Sequence, residues 1–330
     1  MPAFILSRLL QAIPVLLVVG FIAYAMFAFV GDPVQIMLGQ DYTEVQRQAL
    51  IHDLGLDQPF FVQYAKFMWR AVQGEFGISY RLARPVSGLI AERLPATLEL
   101  SVTATVLSLA VGLPMGVYTA VYRRSWLARG FMVFSLAGIS LPTFLTGILL
   151  ILCFSVGLGW LPSFGRGEVV HIGAWWTTGF LTLSGIKALI LPAITLGLFQ
   201  MTLIMRLVRA EMLEVLRTDY IKFARARGLT DRSIKFGHAL RNTMVPVITI
   251  VGLQLGMIVA FSLVTETVFQ WPGMGLLFIQ SVGVADIPVM SAYLLLIAVV
   301  FVVINLVVDL LYYAVDPRLR IERSSAQAGR

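Results

Sequence analysis

Six apolar runs, each about as long as a bilayer is thick, constrain this chain more than any other feature. They cover about 9–30, 98–121, 130–156, 188–207, 244–264 and 288–315. A helix needs roughly 20 apolar residues to cross hydrocarbon. Lipid offers no water to an unpaired backbone, so a run of that length must be helical there. Charge is scarce as well: 13% of residues are charged and 58% are hydrophobic, with a mean hydropathy of +0.85. Soluble domains carry about 25% charged residues. The expected fold is an all-α integral membrane protein with six transmembrane helices and a long outer loop after the first span. In the first run, Ala23, Tyr24 and Ala25 fit a signal cleavage site. The apolar residues continue through Met26, Phe27 and Phe29 to Val30, longer than a signal core, so the run reads as a retained anchor.

Lysine and arginine set the orientation. With the N-terminus inside, the inner segments hold Arg8; Arg123, Arg124 and Arg129; the nine cations from Arg206 to Arg241; and Arg318, Arg320, Arg323 and Arg330. Most outer cations fall in the loop 31–97, which interleaves Asp41, Glu44, Asp53, Asp57, Glu75 and Glu92. Long loops translocate largely regardless of charge. Both termini of this multi-pass protein are therefore expected inside, on the cytoplasmic face. The net charge of +7 follows from this bias and does not call for nucleic acid. The single Cys153 lies in an apolar run and forms no intrachain disulfide. The expected organisation is an N-terminal transmembrane helix (1–30), a periplasmic loop region (31–97), a five-helix membrane domain (98–315) with a basic loop (208–243), and a cytoplasmic tail (316–330).

The outer loop should hold a helix over 43–54, capped by Thr43 or Asp41 and stopped by Gly55. A second, 58–72, carries Phe60, Phe61, Tyr64, Phe67 and Trp69 and should lie on the outer leaflet. Trp160, Trp175 and Trp176 suit headgroup anchoring. Glu99 and Asp309 sit near span ends, Asp309 reading as a residue paired near the inner surface. Gln200, Gln254 and Asn305 add the remaining polarity. Ion-driven carriers usually need ionisable groups within their spans. Glycine and proline punctuate the spans instead, at Pro114, Pro142, Gly147, Pro192, Gly197 and Pro246. Gly112/Gly116 and Gly252/Gly256 have the spacing of close helix contacts. That spacing serves either plain packing or rocking about weak points. The sequence has no Gly-Lys dipeptide, hence no phosphate-binding loop of the GxxxxGK[ST] type, and no HExxH, CxxC or GxSxG. His52, His171 and His238 fall on three separate loops, which argues against a shared metal site.

The basic loop is the most informative polar stretch. Leu213, Leu216, Tyr220 and Phe223 or Ala224 recur at helical spacing, which predicts one apolar face continuing below the membrane. Gly228 fits a helix stop, and Thr230 or Asp231 a cap for a second helix towards Asn242. The small residues Ala224, Ala226 and Gly228 would let another protein approach closely. The competing reading is a solvated basic loop attracted to anionic lipid.

Ala224, Ala226 and Gly228, followed at an interval by Pro246, resemble the coupling loop of bacterial ATP-binding-cassette importer permeases. LGLDQPFFVQY, GEFGISY, RLPATLEL, DYIKFARARGL, HALRNTMVPV, ETVFQWPGMG and DPRLR together resemble the B-type permease of dipeptide, oligopeptide and nickel importers. The resemblance covers essentially the whole chain. It implies the type I importer permease fold, a place in a bacterial inner membrane, and a transport subunit that is not itself an enzyme. It also implies a second homologous permease, two ATP-binding subunits, a periplasmic solute-binding protein and surrounding lipid as partners. ATP and magnesium would then sit on the partner subunits, with no cofactor or metal on this chain. The implied ATPase-coupling residues are Tyr220, Ala224, Ala226, Gly228, Leu229 and Asp231. The outer segment between the third and fourth spans is shorter than in some dipeptide members, so peptides, nickel chelates and other small solutes stay open as cargo. An ion-driven carrier acting alone is the alternative from another class. An intramembrane enzyme lacks a recognisable nucleophile–base pair.

Overall fold

Long apolar runs dictate long helices, and the short polar stretches between them fold by local capping. The computed structural model describes residues 2–28, 34, 38, 42–173 and 175–315. Phe29 and Val30, Asp41 as a cap, and the tail 316–330 with its DPRLR motif lie outside the described residues. In chain order the elements are α1 (Pro2–Ala28), α2 (Glu44–Leu54), α3 (Phe60–Val72), α4 (Val86–Val121), α5 (Trp126–Ser140) and α6 (Thr143–Leu150). A π-helical turn (Ile151–Gly157), the hairpin strands β1 (Val170–Ile172) and β2 (Trp176–Thr178), α7 (Leu183–Val215) and α8 (Asp219–Ala226) follow. A second π-helical turn (Ser233–Ala239), α9 (Leu240–Val268), α10 (Met274–Val282) and α11 (Ile287–Val315) complete the fold.

Capping chemistry explains α2. Thr43 accepts a hydrogen bond from the Gln46 amide, and the Gln46 side chain accepts from the Thr43 amide, a reciprocal capping box. Gly55, at φ +68°, closes α2 in a left-handed conformation that glycine adopts without a Cβ clash. Helix α3 does more than lie on a leaflet, because part of its aromatic face packs on α1. Tyr64 Oη donates to the Leu17 carbonyl at 2.6 Å, and Tyr24 Oη donates to Gln63 Oε1 at 2.8 Å. The Phe21 ring meets Phe60 edge-on at 5.7 Å. Phe61 and Trp69 remain exposed.

Among the described residues, five helices are long and apolar enough to cross a membrane unbroken, within α1, α4, α7, α9 and α11. The run expected as the third span, interrupted at Pro142, is α5 followed by α6 and the first π turn, bent by 113°. Pro142 accounts for the break. It forces the residue before it out of the helical region, and Leu141 is extended at ψ 129°. This broken segment still traverses the fold. It begins beside the Val121 end of α4, where Phe131 lies 5.9 Å from Tyr118. It leads to Arg166, bound to Glu99 near the other end of α4, some 22 residues or about 33 Å away along the helix. The helix ends agree with this count. Arg8 Nε lies 2.9 Å from the Asp309 carboxylate, and Ala23 packs with Met290. Helices α1 and α11 are therefore antiparallel, with the start of one beside the end of the other. An even number of crossings is needed to return there, and the broken pair supplies the sixth.

The glycine pairs mark close packing. An added Cβ at Gly116 would lie 2.6 Å from Val208 Cβ and 2.8 Å from the Met205 carbonyl oxygen. At Gly112 it would lie 2.8 Å from the Met201 carbonyl oxygen, and at Gly197 2.9 Å from that of Ala104. Helices α4 and α7 thus run parallel with their backbones nearly touching, as small residues permit. Gly252 and Gly256 of α9 make room for the Val308 and Phe301 side chains of α11, which runs antiparallel to it. Gly116→Ala is expected to destabilise the protein by about 1–3 kcal/mol through overpacking. The thermal midpoint of the purified transporter checks this, and an unchanged midpoint would contradict the contact.

Candidate functional site

The basic loop forms its own compact surface at the end of the bundle that holds the start of α1 and the end of α11. Helix α7 stops at Val215. Thr218, extended at ψ 156°, breaks the chain direction, and its Oγ1 donates to the Val215 carbonyl at 2.6 Å. The apolar face expected to run on from Leu216 to Tyr220 is therefore interrupted. On α8 the buried positions are Ile221, with no exposed surface, and Ala224. They join Val208 and Met212 of α7, Ile234 and Ala239 of the second π turn, and Val247 and Val251 of α9 in one core. Ile221 is a peg that ties α8 to two transmembrane helices at once.

The opposite side of α8 is open. Tyr220, Phe223 and Leu229 are exposed, Phe223 by 63%. Ala226, Gly228 and Asp231 are exposed too. Ala224 is not; its methyl group points into the core, so it cannot take part in a close approach from outside. Gly228 sits at φ +76° as the helix stop expected from sequence. Its amide donates to the Arg225 carbonyl at 2.9 Å, and the Leu229 amide donates to that of Ala224 at 3.3 Å, the paired bonds of a glycine C-cap. An added Cβ at Gly228 would meet nothing within 4 Å. The Arg227 guanidinium stands 5.8 Å from the Phe223 ring centroid. Exposed aromatic groups beside unburied arginines are the composition of an interface rather than of a solvated turn.

Thr230 caps the next helix by accepting from the Ser233 amide at 3.3 Å. That helix does not end near Asn242; it continues through the π turn into α9. Lys235 donates to Asp231 at 2.8 Å and holds its carboxyl below the usual carboxylate range. Asn242 Nδ2 donates to Tyr220 Oη at 2.6 Å, a second tie between α8 and the foot of α9.

The opposite end of the bundle holds three buried carboxylates whose partners lie far apart in sequence. Glu99 on α4 accepts from Arg166 Nε at 3.0 Å, and from the Gly179 amide at 2.9 Å. Thr178 Oγ1 donates to it as well. The loop 158–182 is thereby seated on α4. Asp286 accepts from Ser79 Oγ and from the Tyr80 amide at 3.1 Å, fixing the turn before α4 to the start of α11. Burial near this carboxylate pushes the Tyr80 phenol up to about 12. Glu266 lies on α9 beyond the span end expected from sequence, and it has no exposed surface. It accepts from Thr97 Oγ1 at 2.6 Å, Ser262 Oγ at 3.2 Å and the Leu276 amide at 3.0 Å. The carboxylate thus caps the N-terminus of α10, where the dipole favours negative charge. Glu266→Ala is expected to cost about 3 kcal/mol by orphaning these donors. A thermal melt within a degree of wild type would contradict that role.

Comparison with known proteins follows the same outline. The family model described as "Binding-protein-dependent transport system inner membrane component" matches residues 112–321, and its N-terminal companion matches residues 1–101. The chain is 40% identical to the di/tripeptide transport system permease protein DppB of Pseudomonas aeruginosa, over 98% of this chain and 100% of that one. It is 38% identical to the glutathione transport system permease protein GsiC of Escherichia coli K12, over 96% of this chain and 98% of that one. A putative peptide transport system permease of Brucella abortus is 38% identical over 98% of this chain and all of its own. Among solved structures, the inward-facing methionine ABC transporter MetNI matches with a TM-score of 0.55 and 20% identity, over 69% of this chain and 96% of that one.

Proposed function

The chain belongs to the binding-protein-dependent transport system inner membrane components, and from that premise we propose that it is the half-pathway of a peptide importer driven from its basic face. It is a multi-pass membrane permease and a transport subunit. The cargo in this reading is a di- or oligopeptide, since DppB is named a di/tripeptide permease and the Brucella relative a putative peptide permease. A second homologous permease completes the pathway. Two ATP-binding subunits seat below, carrying ATP and magnesium, and a solute-binding protein delivers cargo outside. The termini and the basic loop then face the cytoplasm, in line with the excess of lysine and arginine there.

One observation carries the reading: α8 is exposed on one side and pegged into the core on the other. A force on Tyr220, Phe223 and Leu229 reaches α7 and α9 through Ile221 and the Tyr220–Asn242 bond. Helix α7 lies against α4 along much of its length, so these helices would move as one body. Ala226, Gly228, Leu229 and Asp231 form the remainder of the proposed docking face, and Ala224 supports it from behind. Uptake of a labelled dipeptide tests the cargo class. Cells whose only peptide importer contains this chain should take it up, with unlabelled di- and tripeptides competing. Competition by nickel chelates alone would overturn the peptide assignment.

A further inference from the structure

A crevice of about 380 Å³ opens between the basic end of α4 and the foot of α9, within the size range of small-ligand sites. Leu113 and Val117 wall one side, with Tyr122 nearest the basic end. Phe236, Leu240 and Met244 wall the other at intervals of four residues, a single helix stripe. Tyrosine hydroxyls are the only polar side-chain groups in the lining. At its basic end the surroundings change. Arg123 and Arg124 directly follow Tyr122, and Arg232 precedes Phe236 by four residues. All three are exposed, and none has a side-chain hydrogen bond or ion pair among the described residues. Lys222 and Lys235 of the same surface are each paired with an aspartate. Three exposed arginines thus stand next to, or four residues from, residues that line the basic end of an apolar slot.

We infer that this crevice binds one acyl chain of an anionic phospholipid, whose phosphate sits on Arg123, Arg124 and Arg232. A helix is about 10–12 Å across with its side chains and rises about 5.4 Å per turn, so about 380 Å³ holds roughly one turn of it at most. A single acyl chain takes up far less volume per unit length, and the arginines supply the charge that an anionic headgroup needs. Anionic lipid is enriched in the cytoplasmic leaflet, so the leaflet assignment rests on the orientation proposed above. A lipid held there would wedge α4 against the helix that carries Asn242, and so bear on the tie between α8 and α9.

Native mass spectrometry of the complete transporter, titrated with dioleoylphosphatidylglycerol or dioleoylphosphatidylcholine, tests the site. Wild type should retain phosphatidylglycerol in preference. The surface variant Arg123→Gln/Arg124→Gln should lose that preference, with about tenfold weaker retention. Leu113→Trp, which fills the slot, should weaken retention of both lipids. Equal retention by wild type and the double arginine variant would overturn the proposal. So would efficient cross-linking of Phe236→Cys to the second permease, which would mean that protein occupies the slot. Lipid retention is indifferent to sidedness. Accessibility of Arg232→Cys to an impermeant reagent reads orientation separately, so failure of one reading is distinguishable from failure of the other.

Discussion

Replacing Arg166 by methionine is expected to destabilise the protein by about 3–5 kcal/mol, the usual cost of leaving a buried charge without its partner. The side chains of Arg166 and Glu99 are 6% and 2% exposed. Arg166 also donates to Thr177 Oγ1 at 2.9 Å and to the Thr177 carbonyl at 2.7 Å. One residue therefore neutralises α4 and satisfies the hairpin loop. Removing it strands a carboxylate that is still bound by Thr178 and Gly179. Adding Glu99→Leu should recover part of the loss, because an apolar replacement of both partners leaves no buried charge. Thermal unfolding of the purified transporter reads both effects. A single variant as stable as wild type, or a double variant no better than the single one, would contradict the account of this pair.

Gly228→Asp should abolish transport while membrane insertion and folding survive. Within the chain the change is mild. The left-handed backbone at φ +76° costs an L residue about 1–2 kcal/mol, and asparagine and aspartate tolerate it best. Among the described residues nothing beyond the chain neighbours lies within 4 Å of the new Cβ, so a loss of uptake would point to an obstruction outside the fold. The new charge would sit beside Leu229 on the face proposed to dock an ATPase. Uptake at background with a normal yield of assembled protein is the expected result. Wild-type uptake by this variant would remove the docking reading of Gly228.

What the sequence could disclose was local. The reciprocal cap at Thr43, the stops at Gly55 and Gly228 and the cap at Thr230 each depend on residues a few positions apart. Five of the spans needed only their composition, and the pairing of Asp309 near a helix end needed only its position. What it could not disclose depends on contacts across the fold. Glu99 meets Arg166, Glu266 meets Thr97, and Asp286 meets Ser79, each across dozens of residues or more. Glu266 was hidden further because the apolar run ends before it, although α9 continues to Val268. The β1–β2 hairpin likewise depends on neighbours rather than on periodicity, whereas the break at Pro142 was marked by the proline itself. At the candidate site, helical spacing identified an amphipathic stretch but not its phase. The break at Thr218 rotates α8, so that Ile221 and Ala224 face inward and Phe223 faces out.

Uptake into sealed proteoliposomes tests the central claim most directly, that this permease moves peptide only when driven through α8. The two permeases would be reconstituted with and without their ATP-binding subunits, with solute-binding protein and labelled dipeptide on one side and ATP on the other. The account predicts accumulation only with both ATP-binding subunits and hydrolysable ATP present, and none when Phe223 is replaced by aspartate. Accumulation by the permeases alone, under an ion gradient and without ATP, would contradict it.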